Sequence, residues 1–298
     1  MVAVGRPCQY HWDMTNNERD TAVITGGNTG MGKSTALALA EQGYRVIMLC
    51  RNEAKGLAAR DDIRSASGNQ AVELVPLDLA SFASIRQAAA RVLEIAPRIQ
   101  VLVNNAGVIT TDRRETADGH ELQFGVNHLG HFLLTTLLLP ALRAAAPARI
   151  VVVCSGAHKI GRIDFDDIPM RRSFSIFRAY SRSKLANLLF ASQLARRLEG
   201  SGVTDNAVHP GAVGTEMGVD RQTGFGGGLM AFLRPFFLTP AQGATTAIWL
   251  ATAPELAGLT GGYYYRKKPA KPSRLASDPA LQAKLWEVSE TLVGETFG

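Results

Sequence analysis

Short, nearly continuous apolar runs alternate with longer amphipathic stretches from Thr21 to about Leu250. "TAVIT" reads as a buried strand, followed by a glycine turn and an Ala/Leu-rich helix that ends by Gly43. "RVIMLC" is a second strand reaching Arg51, and "VELVPLDL" a third. Ser81 then stands as the N-cap of a helix with Phe82, Ile85, Ala89 and Val92 on one face. "IQVLVNNAG" is a fourth strand running into a polar turn. A helix around His128 to Arg143 leads to "RIVVVCS", the fifth and most β-branched strand. A helix from about Tyr180 to Leu198 precedes a shorter strand, Val203 to Val208, which ends at "HPG". Asp205 interrupts that last run, where a branched apolar residue suits a strand better, so a local weakness is expected there. Strands apolar on both faces and separated by helices belong to a parallel sheet covered on both sides. Nothing in the chain marks a linker or a repeat, so a single doubly wound α/β domain is expected over residues 21–298, with residues 1–20 as an extension.

Composition changes this picture little. Hydrophobic residues make up 46% of the 298 and charged residues 19%, enough apolar content for a sizeable core. The balance of 32 Lys and Arg against 26 Asp and Glu is mildly basic. Part of the excess lies in "RKKPAKPSR", Arg266 to Arg274, which reads as a solvated loop. No nucleic-acid motif accompanies it, and no nucleic-acid partner is expected. Cys8, Cys50 and Cys154 are odd in number and share no C-x-x-C spacing, which suits a reducing, cytoplasmic setting. The first residues lack the apolar core of a signal peptide, and Met14 is a second candidate start. No run reaches the 18 or so apolar residues that span a bilayer, so no integral membrane segment is expected. His128 and His131 are spaced i, i+3 without a cysteine or carboxylate at ligand spacing, so helix packing or capping is expected and no metal site.

The stretch "TGGNTGMGKS", Thr25 to Ser34, carries chemistry under two patterns at once. Gly27, Gly32, Lys33 and Ser34 match the loop that cradles nucleoside triphosphates. Gly26, Gly30 and Gly32 equally suit the glycine turn of a dinucleotide-binding βαβ unit, and both use a helix N-terminus to hold phosphate. Elsewhere, Arg51, Asp78, Asn104 and Ser155 fall at or just after strand C-terminal ends, the rim where such sheets bind ligands. "YSRSK" places Tyr180 and Lys184 at i and i+4, on one helix face. A phenol with a pKa near 10 yields little phenolate at neutral pH, and a neighbouring ammonium favours that phenolate, making the tyrosine a usable acid/base. The pentapeptide alone is as well explained by an ordinary helix surface.

Taken together, T-G-x-x-x-G-x-G, "NNAG", Asn127, Ser155 and Y-x-x-x-K resemble the short-chain dehydrogenase/reductase family over about residues 21–265. "VNHLGHFLLT", "YSRSKLANLLF", "VHPGAVGTEM" and "LWEVSETLVG" look like its retinol-dehydrogenase-like and WW-domain-oxidoreductase-like branch. The resemblance implies a Rossmann-type domain, a parallel sheet of about seven strands with helices on both faces. It also implies an oxidoreductase that moves hydride between a nicotinamide and a carbonyl/alcohol pair. Tyr180 would be the general acid/base, Ser155 the donor to the carbonyl oxygen, Lys184 the partner of the tyrosine and of the ribose, and Asn127 the holder of a relay water. Gly26, Asn28, Thr29, Gly30, Met31 and Gly32 would surround the pyrophosphate. Asp78 and Leu79 would meet the adenine, Asn105, Ala106 and Gly107 would flank the adenosine half, and Pro210, Gly211 and Thr215 would contact the nicotinamide end. Dimers or tetramers assembled through helices are implied as well.

Arg51 stands where a carboxylate would accept the ribose 2′-OH of NAD, so NADP(H) is the expected cofactor. The segment of about 211–237 mixes glycines with large apolar groups and reads as a lid over a lipophilic substrate, or as a point of peripheral membrane contact. Two other readings stay open: a non-catalytic NADP-binding regulator, and a nucleoside triphosphatase built on Lys33 and Ser34.

Overall fold

The computed structural model describes residues 19–212 and 238–298. Among these residues eight strands form one sheet: β1 Thr21–Thr25, β2 Arg45–Cys50, β3 Val72–Pro76, β4 Val101–Asn104, β5 Ala148–Val153, β6 Val203–His209, β7 Tyr263–Tyr265 and β8 Lys268–Pro269. Their order is β3-β2-β1-β4-β5-β6-β7-β8. The first seven strands run parallel and β8 returns antiparallel to β7. Strand order reverses between β1 and β4, which opens a crevice above their carboxyl ends.

Among the described residues seven helices cover the sheet: α1 Gly30–Glu41, α2 Glu53–Ser67, α3 Phe82–Ile95, α4 Leu122–Ala144, α5 Ile176–Arg197, α6 Pro240–Thr252 and α7 Pro279–Val293. One face of the sheet packs on α3, α4, α5 and α7, the other on α1, α2 and α6. Ser81 caps α3 as its position suggests, its side chain accepting the N–H of Ser84. Helices α2, α6 and α7 were not anticipated, although each carries a start signal. Asn52 accepts the N–H of Lys55, Thr239 and Gln242 form a capping box ahead of Pro240, and Asp278 precedes Pro279. Asp278 accepts the N–H groups of Ala280 (2.9 Å) and Leu281 (3.3 Å). Asp278→Ala should therefore cost about 1 kcal/mol and lower Tm by about 2–4 °C, read by thermal unfolding.

The structure corrects several expectations. Helix α4 is long and apolar enough to cross a bilayer, yet 89% of its most apolar window is buried within the domain, so its hydropathy serves the core. Its start lies at Leu122, and residues Gly125–Leu129 form a π-helical turn. Helix α5 begins four residues before Tyr180, and β3 stops at Pro76. The basic run is no free loop: Arg266 and Lys267 turn the β7–β8 hairpin with φ of 50° and 58°, and Ala270 N–H bonds the Tyr263 carbonyl at 2.7 Å. Asp205 does not break β6, which pairs with β5 along its length; its carboxylate is fully buried with neither oxygen hydrogen-bonded.

Helix α7 closes the core. Trp286 lies parallel to Phe190 of α5 (5.8 Å between ring centroids) and edge-on to Phe132 of α4 (4.9 Å). Ser289 bonds His128 of α4 at 2.8 Å. Helix α7 thus covers part of the surface of both α4 and α5.

Candidate active site

Thr25, the last residue of β1, organises the crevice. Its Oγ1 accepts the N–H groups of Asn105 and Ala106, both at 2.9 Å, and Asn105 Nδ2 donates to the Thr25 carbonyl at 2.8 Å. The strand ends that flank the reversal point are therefore bolted together. Between them the chain turns through Gly26 (φ 69°) and Gly30 (φ 52°), where a side chain would be strained. Gly32 has the tightest requirement: a Cβ there would lie 2.2 Å from the Gly26 carbonyl oxygen. Thr29, the N-cap of α1, makes no side-chain capping bond, and no acidic residue stands in the first turn. Asn28, Met31 and their glycine neighbours thus frame an uncapped helix N-terminus, which suits a phosphate.

Across the crevice, Tyr180 and Lys184 project from α5. Lys184 is buried, its Nζ 5.8 Å from the Tyr180 ring centroid and 3.2 Å from the carbonyl of Val153, two residues before Ser155. A Cβ built on Gly107 would stand 3.4 Å from Asn127 Oδ1 and 3.6 Å from Lys184 Nζ, so the end of β4, α4 and α5 converge at one point. Asn127 is fully committed there. It accepts Val108 N–H (2.7 Å) and donates to the Val108 carbonyl and to Ser183 Oγ, both at 3.0 Å. Its side chain is a clamp on the Asn105–Val108 loop. Ser155 Oγ accepts the N–H of Ala157 (3.2 Å), leaving its hydroxyl proton to donate elsewhere. The turn after Ser155 lies against α5, with Gly161 so close that a Cβ would meet the Ser181 carbonyl at 2.4 Å.

At the adenosine end, Arg51 is exposed and makes no ion pair among the described residues, while Glu53 has already joined α2. Asp78 Oδ1 accepts Ala80 N–H at 2.9 Å and Leu79 is buried beneath it. Pro210 and Gly211 follow β6, Gly211 with φ 92°. Thr215 and most of the segment read as a lid lie outside the described residues. The triphosphatase reading fails: Lys33 turns away from the crevice to pair with Asp62 of α2 at 2.6 Å, and Ser34 Oγ donates to the Gly30 carbonyl.

A short chain dehydrogenase family model matches residues 20–224. The chain belongs to the short-chain dehydrogenase family. Human retinol dehydrogenase 13 is 47% identical over 281 residues, covering 92% of this chain and 84% of its own. Human retinol dehydrogenase 14 is 43% identical over 296 residues, covering 92% and 86%. Among solved structures, an uncharacterised protein from Mycobacterium paratuberculosis superposes with a TM-score of 0.76 at 37% identity, covering 94% of this chain and 95% of that one. An actinorhodin polyketide ketoreductase solved with NADPH does so with a TM-score of 0.64 at 25% identity, covering 82% and 94%. The short-chain dehydrogenase therefore lies in the retinol-dehydrogenase-like branch, and it is an oxidoreductase using a nicotinamide cofactor.

Sequence reasoning missed the long-range hydrogen bonds by which three histidines hold this dehydrogenase's rim. His131 Nδ1 faces the Asn127 carbonyl at 3.0 Å, so that nitrogen carries the proton. Its Nε2 is then an acceptor, and Thr25 donates to it at 2.9 Å, completing the threonine's three hydrogen bonds. Burial holds this ring's pKa down to about 4, with the Lys184 ammonium acting in the same direction. His158 Nδ1 donates to the Ser155 carbonyl (2.7 Å) and its Nε2 accepts Ser273 N–H (3.2 Å). His209 is the last residue of β6, and its Nδ1 faces the N–H groups of Gly156 and Gly211, each at 3.3 Å. It stacks on Tyr265, and burial lowers its pKa to about 4. Thr25, Ser273 and Gly156 are remote in sequence from the histidines they meet, so no local pattern could reveal those bonds. Cys154, beside Ser155, is inert: burial pushes its thiol up to about 12.

Proposed function

We propose that the protein is an NADP(H)-dependent oxidoreductase that interconverts a lipophilic carbonyl compound and its alcohol, with Tyr180 as the general acid/base. The observation that carries this reading is the convergence of Lys184 with the Tyr180 ring, Asn127 and Gly107 beside the strand that ends at Ser155. The cofactor fits the residues present, because the Gly32 cradle admits no Cβ and the N-terminus of α1 is uncapped. Gly26 to Gly32 would hold its pyrophosphate, Arg51 its 2′-phosphate, Asp78 and Leu79 its adenine, and Lys184 its nicotinamide ribose. Asn105 to Gly107, Pro210, Gly211 and Thr215 would line the remainder. Bound there, it supplies or accepts the hydride.

The protein's own groups handle the proton and the charge. Tyr180 gives its phenolic proton to the carbonyl oxygen in reduction and takes the alcohol proton in oxidation. Ser155 donates its hydroxyl to the same oxygen, stabilising the charge that develops. Lys184 places a buried ammonium where it stabilises negative charge on the tyrosine oxygen. Asn127 keeps the Asn105–Val108 loop in place; a relay water would reach Lys184 past the open flank of Gly107. Reduction in the cytoplasm is the proposed setting, supported by the two buried free thiols Cys50 and Cys154. Lid contact with a lipophilic substrate or a membrane surface belongs to the same proposal. Dimers or tetramers would have to form away from the α4 and α5 surfaces that α7 covers.

The test follows NADPH oxidation with a panel of lipophilic aldehydes and ketones, with NADH as the control. Arg51→Ala should weaken NADPH binding about 10- to 100-fold, the loss of one charge-assisted contact, and leave NADH nearly unchanged. Equal loss for both cofactors would remove Arg51 from the 2′-phosphate; turnover with NADH alone would sink the NADP(H) assignment.

A further inference from the structure

The segment from Ile160 to Ser173 and the first turns of α5 line a cavity of about 350 Å³. It is separate from the catalytic face. Arg178, Ser181 and Arg182 line it at i, i+3 and i+4, whereas Tyr180 and Lys184 share another face of the helix.

Arginine predominates inside: Arg162, Arg172, Arg178 and Arg182 line the cavity together with Asp164 and Asp167. Arg162, Arg172 and Arg178 line the cavity and none is paired with a carboxylate among the described residues. Arg178 donates to Ser173 Oγ at 2.9 Å, and Arg172 reaches only the Asp166 carbonyl at 3.5 Å. The nearby carboxylates are spent on backbone. Asp167 accepts the N–H groups of Arg171 (2.9 Å) and Arg172 (3.0 Å), and Asp164 accepts that of Asp166 (3.0 Å). On the inner wall Arg182 is 2% exposed; it bonds the Ile168 carbonyl and Glu121, and its Nε has no partner. Helix α5, 22 residues long, opens beside the cavity with an N-cap, Ser175, that makes no side-chain bond and with no acidic residue in its first turn. Asp164 and Asp167 line the same cavity and temper its positive charge, but neither forms an ion pair with these three guanidiniums.

The rim adds the second half of the recognition. Ile160 (72% exposed) lines the cavity with Met170, and Phe177 (75% exposed) stands out from the first turn of α5, next in sequence to Arg178. We infer that this cavity binds an amphiphile with one anionic head, a carboxylate or phosphate, on an apolar chain. Arg162, Arg172, Arg178 and the start of α5 take the head, and Ile160 and Phe177 take the chain. This does not depend on the cofactor or on turnover.

Isothermal titration of the full chain, without nicotinamide cofactor, tests it with four probes below their micelle concentrations: decanoate, decyl phosphate, decanol and inorganic phosphate. Decanoate and decyl phosphate should bind, with decanol and inorganic phosphate at least tenfold weaker. Arg162→Ala/Arg172→Ala, both exposed positions, should weaken the anions roughly 10- to 100-fold with an unchanged Tm. Phe177→Ser should remove most of the gain per methylene, which is roughly fourfold where the chain is buried. No binding of either anion, binding unaffected by the arginine variant, or equal binding of inorganic phosphate would overturn the inference. Sedimentation with phosphatidylglycerol vesicles without binding of free decyl phosphate would overturn it in favour of a membrane surface.

Discussion

Tyr180→Phe is expected to lower kcat for carbonyl reduction by about 10²–10⁴-fold, the usual worth of a positioned proton donor, while NADPH affinity changes little. The separation follows from where the phenol sits. Its hydroxyl makes no hydrogen bond within the described residues, so the substitution leaves no buried group unpaired and the ring keeps its place beside Lys184. Steady-state turnover and a fluorescence titration with NADPH read the two quantities on one protein sample. A variant that retains full turnover would remove Tyr180 from the chemistry. A wild-type chain that binds NADPH and reduces none of a broad panel would instead favour a regulatory role for the bound form.

Asp205→Val should stabilise the fold, by about 2–4 kcal/mol near pH 8, because the carboxylate is buried without a partner. Valine nearly matches it in shape and suits β6 better. The effect carries a pH signature. Burial raises the Asp205 pKa well above the ordinary carboxylate range, so above about pH 4 the folded state holds a proton that the unfolded chain releases. Stability therefore falls as pH rises, by up to about 1.4 kcal/mol per unit, and the advantage of the variant should grow from pH 5.5 to pH 8. An advantage that stays flat with pH would show that the carboxyl is not held neutral. The histidines work in the opposite sense. Burial lowers His128 to about 3 and His131 to about 4. Their neutral forms contribute fully above pH 6.5 and lose that contribution as pH falls toward 4, again by about 1.4 kcal/mol per unit each. The wild-type protein should thus be most stable near pH 6.5, and the valine variant should keep the acid-side loss while losing the alkaline one.

The first six strands were legible because their apolar runs are nearly continuous, and the crevice because Gly26, Arg51, Asp78 and Ser155 follow strand ends. What the sequence hid falls into two kinds. The amphipathic patterns of α2 and α7 are diluted by charge, so only Asn52 and the Asp278–Pro279 pair marked their starts. The other kind is long-range. His131 to Thr25 spans 106 residues and His158 to Ser273 spans 115, and a histidine's role is decided by which carbonyl its ring meets. Asp205 misled for a related reason: β-propensity weighs one residue, whereas pairing along both edges of β6 holds the strand regardless.

The position of Trp286 sets an order of events during synthesis. The helix that carries Tyr180 and Lys184 emerges from the ribosome about a hundred residues before the indole that packs on its far side. Until that last segment arrives, Phe132 and Phe190 face solvent as an aromatic patch. A nascent chain stalled before Pro279 therefore presents a surface for chaperones, and the packing behind the helix that carries Tyr180 is completed only once the segment from Pro279 has emerged.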